Sequence, residues 1–105
     1  MKTIDKRCAH YLPVLIYPSN RSEILWGRLT LFHSKGLNFI SKFEIEKEKN
    51  IAASFKLGNV KFDNLRLQIQ RKIKDVSGYW IYKADFIDSE QKEQVIDEIT
   101  EFLTW

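Results

Sequence analysis

The feature that most restricts this chain is a side-chain rhythm of two that runs from Tyr11 to Phe86. Successive side chains of an extended strand point to opposite faces, so a strand with one dry face and one wet face alternates apolar and polar residues. The longest example sets Leu65, Leu67, Ile69, Arg71 and Ile73 on one side against Asn64, Arg66, Gln68, Gln70, Lys72 and Lys74 on the other. The next run sets Trp80, Tyr82, Ala84 and Phe86 against Ile81, Lys83 and Asp85. Asp75-Val76-Ser77-Gly78 between them supplies turn residues, so the two runs read as one long hairpin.

Three or four shorter strands precede it, drawn from Leu12 to Tyr17, Ile24 to Phe32, Leu37 to Phe43, and Ile51 to Leu57. Pro18-Ser19-Asn20, Ser34-Lys35-Gly36 and Gly58-Asn59 punctuate them, and the mixed-sign run from Glu44 to Asn50 reads as a solvated connection or a short helix. After Phe86 the period changes. Asp88 or Ser89 can cap a helix, Glu90 and Glu93 suit the positive end of its dipole, and neither proline nor glycine follows. Val95, Ile96, Ile99, Phe102 and Leu103 then fall on one helical stripe, available to close a sheet or barrel. Strands first and one helix last point to a mainly β fold, a six-stranded antiparallel β-barrel with a C-terminal α-helix. The expected organisation is one domain over residues 1–105, with an N-terminal segment 1–10, a barrel 11–87 and a helix 88–104.

With 105 residues, 44% hydrophobic and 13% aromatic, the chain can build one real core. No apolar run reaches the roughly 20 residues that span a bilayer. The Met1-Lys2-Thr3-Ile4-Asp5-Lys6 start lacks a hydrophobic stretch of signal-peptide type, so the expected address is cytoplasmic. Cys8 is a lone thiol without an internal disulfide partner, and the two histidines offer no zinc spacing. Charge is unevenly spread: residues 1–74 hold fifteen Lys and Arg against six Asp and Glu, and residues 75–105 hold two against eight. A basic body attracts anions, and it equally lets an acidic helix dock on a basic barrel.

The usual catalytic arrangements lack their parts: no phosphate-cradling glycine loop, no G-x-S-x-G and no H-E-x-x-H is present. His10 and His33 have no sequence-evident partner for acid-base work, so neither an enzyme nor a metal site is expected. A single-stranded nucleic-acid binder is a further reading, since small basic barrels hold strands by pairing cations with stacked rings; Arg66, Arg71, Lys72 and Lys74 with Trp26 or Tyr82 would be its contacts.

Three local strings, in order, resemble the PilZ domain, the bacterial module whose well-known members bind cyclic di-GMP. Arg7-Cys8-Ala9-His10-Tyr11-Leu12-Pro13 stands where that family has R-x-x-x-R leading into its first strand, with Tyr11 in place of the second arginine. Leu31-Phe32-His33-Ser34-Lys35-Gly36-Leu37-Asn38-Phe39 stands where it has [D/N]-x-S-x-x-G and a following strand, with Leu31 for the acid and His33 for the serine. The segment from Gly78 to Ile87, followed by a helix, is similar to the family's last strand and terminal helix. The resemblance implies a PilZ-like barrel acting in bacterial signalling. It also implies a ligand corner at Arg7, Tyr11, His33, Lys35 and Gly36, should nucleotide binding survive. Two arginines clamp phosphates and stack on guanine in a way that one arginine and a tyrosine do not reproduce, and leucine offers no hydrogen bond. Each lost charge-assisted contact costs about 1.5–3 kcal/mol, so weak or no cyclic di-GMP binding is expected. The reading that follows is a non-catalytic regulatory or adaptor domain with a protein partner and no cofactor. The alternative is a divergent receptor with cyclic di-GMP as regulatory ligand. Gly36 also has a plain structural reading, a turn glycine with positive φ.

Overall fold

A computed structural model describes the backbone of residues 5–7, 12–19, 23–47 and 49–103, and the side chains of all of these except 5–7 and 101–103. Tyr11, part of the expected ligand corner, lies outside the described residues, as do Cys8, His10 and Trp105. The strands are β1 (Asp5–Arg7), β2 (Pro13–Pro18), β3 (Leu25–His33), β4 (Gly36–Ser41), β5 (Asn50–Leu57), β6 (Val60–Lys74) and β7 (Trp80–Phe86); the helix α1 is Ser89–Leu103.

The pairing runs β3-β2-β5-β6-β7-β4 and returns to β3, every contact antiparallel, which closes a six-stranded barrel with a C-terminal helix. The short β1 is a seventh strand within the expected N-terminal segment. It continues the edge of β3 that β2 occupies earlier, with Arg7 opposite Leu31 and Asp5 opposite His33. Closure leaves few free strand edges, which is the physical advantage of a barrel over an open sheet.

Local chemistry explains most of the elements. Gly58 (φ 62°) and Asn59 make the two-residue turn between β5 and β6, the positive φ that such hairpins require. Asp88 caps α1: its Oδ1 accepts from the N–H groups of Glu90 at 2.9 Å and Gln91 at 3.3 Å. Val95, Ile96 and Ile99 of the helix are buried, and α1 packs on β5, β6 and β7. Burying each of these side chains stabilises the fold by about 1.5–3 kcal/mol before entropy.

The interior is lined by Val14, Ile16, Leu25, Leu29, Leu37, Leu67 and Ile69, with Tyr82 stacked on Phe39 at a centroid distance of 4.9 Å. At the other end Phe55 contacts both Phe32 at 5.7 Å and Phe62 at 5.4 Å. The Tyr82 hydroxyl, fully buried, accepts from the Ile45 N–H at 2.7 Å and donates to the Phe43 carbonyl at 2.7 Å. It therefore fastens the β4–β5 connection to the core. That connection carries Ile45 inside the core and the ion pair Lys72–Glu44 at 2.7 Å outside it. It contains no helix among the described residues.

The faces of the long hairpin depart from the regular alternation expected of it. The register between β6 and β7 shifts between Ile69 and Arg71, and this bulge exchanges the faces of everything after it. Arg71 and Ile73, expected beside Leu65 and Leu67 in the core, lie on the outer face, and Ile73 is 56% exposed. Lys72 turns the other way and lies over the Trp80 ring at 5.0 Å. Further shifts occur at Leu29/Leu31 and Ala53/Phe55, where a strand must bend to close the ring.

Candidate functional site

The β3–β4 hairpin places the only part of the expected ligand corner whose side chains are described. His33 pairs with Gly36, leaving Ser34 and Lys35 as the turn, and the Lys35 carbonyl accepts from the Phe86 N–H at 2.8 Å. Gly36 does not have positive φ; among the described residues that conformation belongs to Gly58, Gly78 and Asn64. Glycine is needed at 36 for another reason. A Cβ there would run into the Ala84 carbonyl and lie 2.8 Å from the Asp85 Cα, so the close approach of β4 to β7 depends on its absence.

Antiparallel register then assembles residues that are distant in sequence. One outer row reads His33, Gly36, Asp85, Gln68, Asn50 across β3, β4, β7, β6 and β5. The next reads Leu31, Asn38, Lys83, Arg71. Between the two rows lies an open cavity of about 330 Å³ lined by Leu31, His33, Ser34, Lys35, Asn38 and Lys83. Leu31 and His33 border the corner without filling it. Arg7 reaches its edge through the backbone, as the partner of Leu31, so the structure gathers His33, Lys35, Gly36 and the strand of Arg7 in one place.

Three residues of this corner were not singled out from the sequence: Asn38, Lys83 and Asp85. Each stands at an ordinary polar position of an alternating strand, and only the pairing of β4 with β7 brings them together. The Oδ1 atoms of Asn38 and Asp85 are buried and find no hydrogen-bond partner among the described residues. A buried polar atom without a partner is costly. The corner thus combines ammonium groups suited to an anion with acceptors suited to an N–H or O–H donor.

A second cavity, about 470 Å³, lies on the β2–β5–β6 wall between Tyr17, Ser19, Asn50, Ile51, Ala52, Asn64 and Arg66. The contacts expected of a nucleic-acid binder do not converge. Tyr82 is fully buried and cannot stack on a base, which corrects that expectation. Arg66 faces this second cavity, Arg71 lies beside Lys83, and Lys72 and Lys74 lie over Trp80.

The barrel wall also carries apolar side chains that face outward. Leu15 and Trp26 are Cα partners, each 45% exposed, and Trp26 meets Phe43 edge-on at 6.2 Å. Ile81, 38% exposed, is the partner of both Ile40 and Ile73.

No family model and no curated protein sequence matches this chain. Among the described residues no helix is long and apolar enough to cross a membrane, and no group of three His, Cys, Asp or Glu side chains could hold a metal ion.

Proposed function

We propose that the chain is a non-catalytic, PilZ-like regulatory or adaptor domain of bacterial signalling that acts by holding a protein partner, with weak or no binding of cyclic di-GMP. The observation that carries this reading is the pairing of outward apolar side chains in strand register: Leu15 beside Trp26, and Ile81 between Ile40 and Ile73. Single exposed apolar residues are ordinary on a protein surface, whereas contiguous groups mark surfaces that bind. Support for weak nucleotide binding comes from the replacements themselves, Tyr11 for an arginine, Leu31 for an acid and His33 for a serine.

The test is site-specific photo-crosslinking in the native host, with a benzophenone amino acid placed at Trp26, Ile81 or Ile73 and, as a polar reference, at Lys61. Discrete protein adducts from the apolar positions and none from Lys61 are expected. Adducts from none of the apolar positions would refute the adaptor role. Calorimetric titration of the isolated chain with cyclic di-GMP is expected to show no saturable heat.

A second reading is favoured by the cavity at the β3–β4 hairpin. Its 330 Å³ is at the small end of ligand pockets, which hold about 300–1,000 Å³, and Lys35 and Lys83 give it cationic walls. A divergent cyclic di-GMP receptor would use that corner, with Arg7, Tyr11, His33, Lys35 and Gly36 as its altered pocket. Micromolar binding that disappears in both Arg7→Ala and Lys83→Ala would establish that receptor in place of the adaptor.

A further inference from the structure

We propose that the outer wall formed by β3, β4, β7 and β6 is the docking surface for an acidic amphipathic segment of a protein partner; this rests on the adaptor reading and specifies the chemistry of what the adaptor holds. A single row of Cα partners crosses this wall, from Arg28 to Ile40, Ile81 and Ile73. Neighbouring strands lie about 4.8 Å apart, so the three isoleucines cover a strip about 10 Å across, which is the width of one helix. The strip is open to solvent, with Ile73 and Ile81 its most exposed members.

Charge selects the partner. One outward step along the strands from Ile81 and Ile73, Lys83 faces Arg71 directly across β6 and β7. Like charges placed directly opposite each other weaken a strand pair, so the arrangement opposes folding unless an anion relieves it. Among the described residues the ion pairs are Lys49–Glu46, Lys61–Asp63 and Lys72–Glu44; none involves Arg28, Arg71 or Lys83. Asp85, two residues from Lys83, forms no ion pair with it among those residues. A segment that sets carboxylates on the three cations and aliphatic side chains on the three isoleucines satisfies both features at once. A nucleic acid would need rings to stack on, and the row holds none. A lipid surface is entered by apolar residues at a protruding tip or on one helix face, whereas these lie mid-wall in a barrel.

The experiment is a display library of peptides of about 16 residues, roughly four helical turns, panned on the whole protein. Enriched peptides are expected to be net acidic with apolar residues at helical or alternating spacing. Their affinity, read by fluorescence polarisation, should fall about tenfold in Ile81→Ser and in Arg71→Glu and weaken as salt is added. Lys56→Glu, at an exposed position of β5 outside this wall, should leave it unchanged. Circular dichroism of each variant separates lost binding from lost fold, and both substituted side chains are exposed.

Failure to enrich any peptide, enrichment of neutral or basic ones, or equal binding by wild type and both variants overturns the proposal. So does preferential binding of phosphatidylglycerol vesicles or of single-stranded RNA with the same sensitivity to those variants. Crosslinking keeps the two levels apart. A protein adduct at Trp26 with none at Ile73 or Ile81 leaves the adaptor reading standing and removes this surface, while silence at all three positions removes both.

Discussion

Replacing Tyr82 by phenylalanine isolates what one buried hydroxyl contributes to this fold. The ring is unchanged and keeps its stack on Phe39, and the substitution removes the 2.7 Å hydrogen bonds that the hydroxyl makes with the Ile45 N–H and the Phe43 carbonyl. The Ile45 bond is buried, and the Phe43 bond only partly so, which means water can replace the second partner but not the first. A buried donor left unpaired costs about 1–3 kcal/mol, and an ordinary hydrogen bond contributes about 0.5–1.5 kcal/mol net. The expected loss is therefore about 2–3 kcal/mol, a large share of the about 5–15 kcal/mol that stabilises a small domain. With a urea slope of about 1–3 kcal/mol per molar, the unfolding midpoint should fall by about 1–2 M. Tryptophan fluorescence during urea titration measures the midpoint, and amide hydrogen exchange at Ile45 shows whether the loop has come loose. A change below about 0.5 kcal/mol, with the Ile45 amide still protected, would mean that the hydroxyl does not fasten the loop and that the bookkeeping of buried donors fails here. Tyr82→Leu should cost more, because it also removes the stacked pair, worth about 0.5–1.5 kcal/mol beyond area.

Gly36→Ala should destabilise by at least about 1–3 kcal/mol, because the new methyl meets backbone rather than a movable side chain; equilibrium unfolding tests it, and a neutral result would contradict the close β4–β7 approach. Gln91 reaches from α1 to the bulged part of β6, where its Oε1 accepts from the Arg66 N–H at 2.8 Å and its Nε2 donates to the Asn64 carbonyl at 3.0 Å. Both contacts are exposed, so Gln91→Ala should cost no more than about 1 kcal/mol, yet exchange at the Arg66 amide should quicken visibly. Ile69→Ala should cost about 2–5 kcal/mol and Ile73→Ser less than about 1 kcal/mol, a contrast that thermal unfolding resolves and that only the bulge between them explains.

The β-rich class, the long hairpin, the terminal helix and a cap at Asp88 or Ser89 were legible in the sequence, because each depends on residues within a few positions of one another, and the structure chose Asp88. Alternation marks a face wherever a strand is regular, and the switch after Phe86 to a helical stripe is equally local. The expected strands from Leu12 to Leu57 match β2 to β5 to within about two residues, as is usual for boundaries set by fraying ends. Of the residues that line the hairpin cavity, Leu31, His33, Ser34 and Lys35 stand within a few positions of one another in the string that carries the family resemblance.

What tertiary structure alone decided is register. A bulge between Ile69 and Arg71 moves Ile73 from core to surface, and no local feature of Gln68-Ile69-Gln70-Arg71 announces it, because the bulge follows from bending a long strand around a closed ring. The same holds for the outer rows. Asn38 meets Lys83, and Lys83 meets Arg71, only once β4, β7 and β6 are neighbours in a fixed alignment. Local sequence chose which residues are extended and which are helical, since backbone preference and apolar spacing act over a few residues. Which side chains share a surface depended on pairing between distant strands, a global choice made by closing the barrel and burying its core.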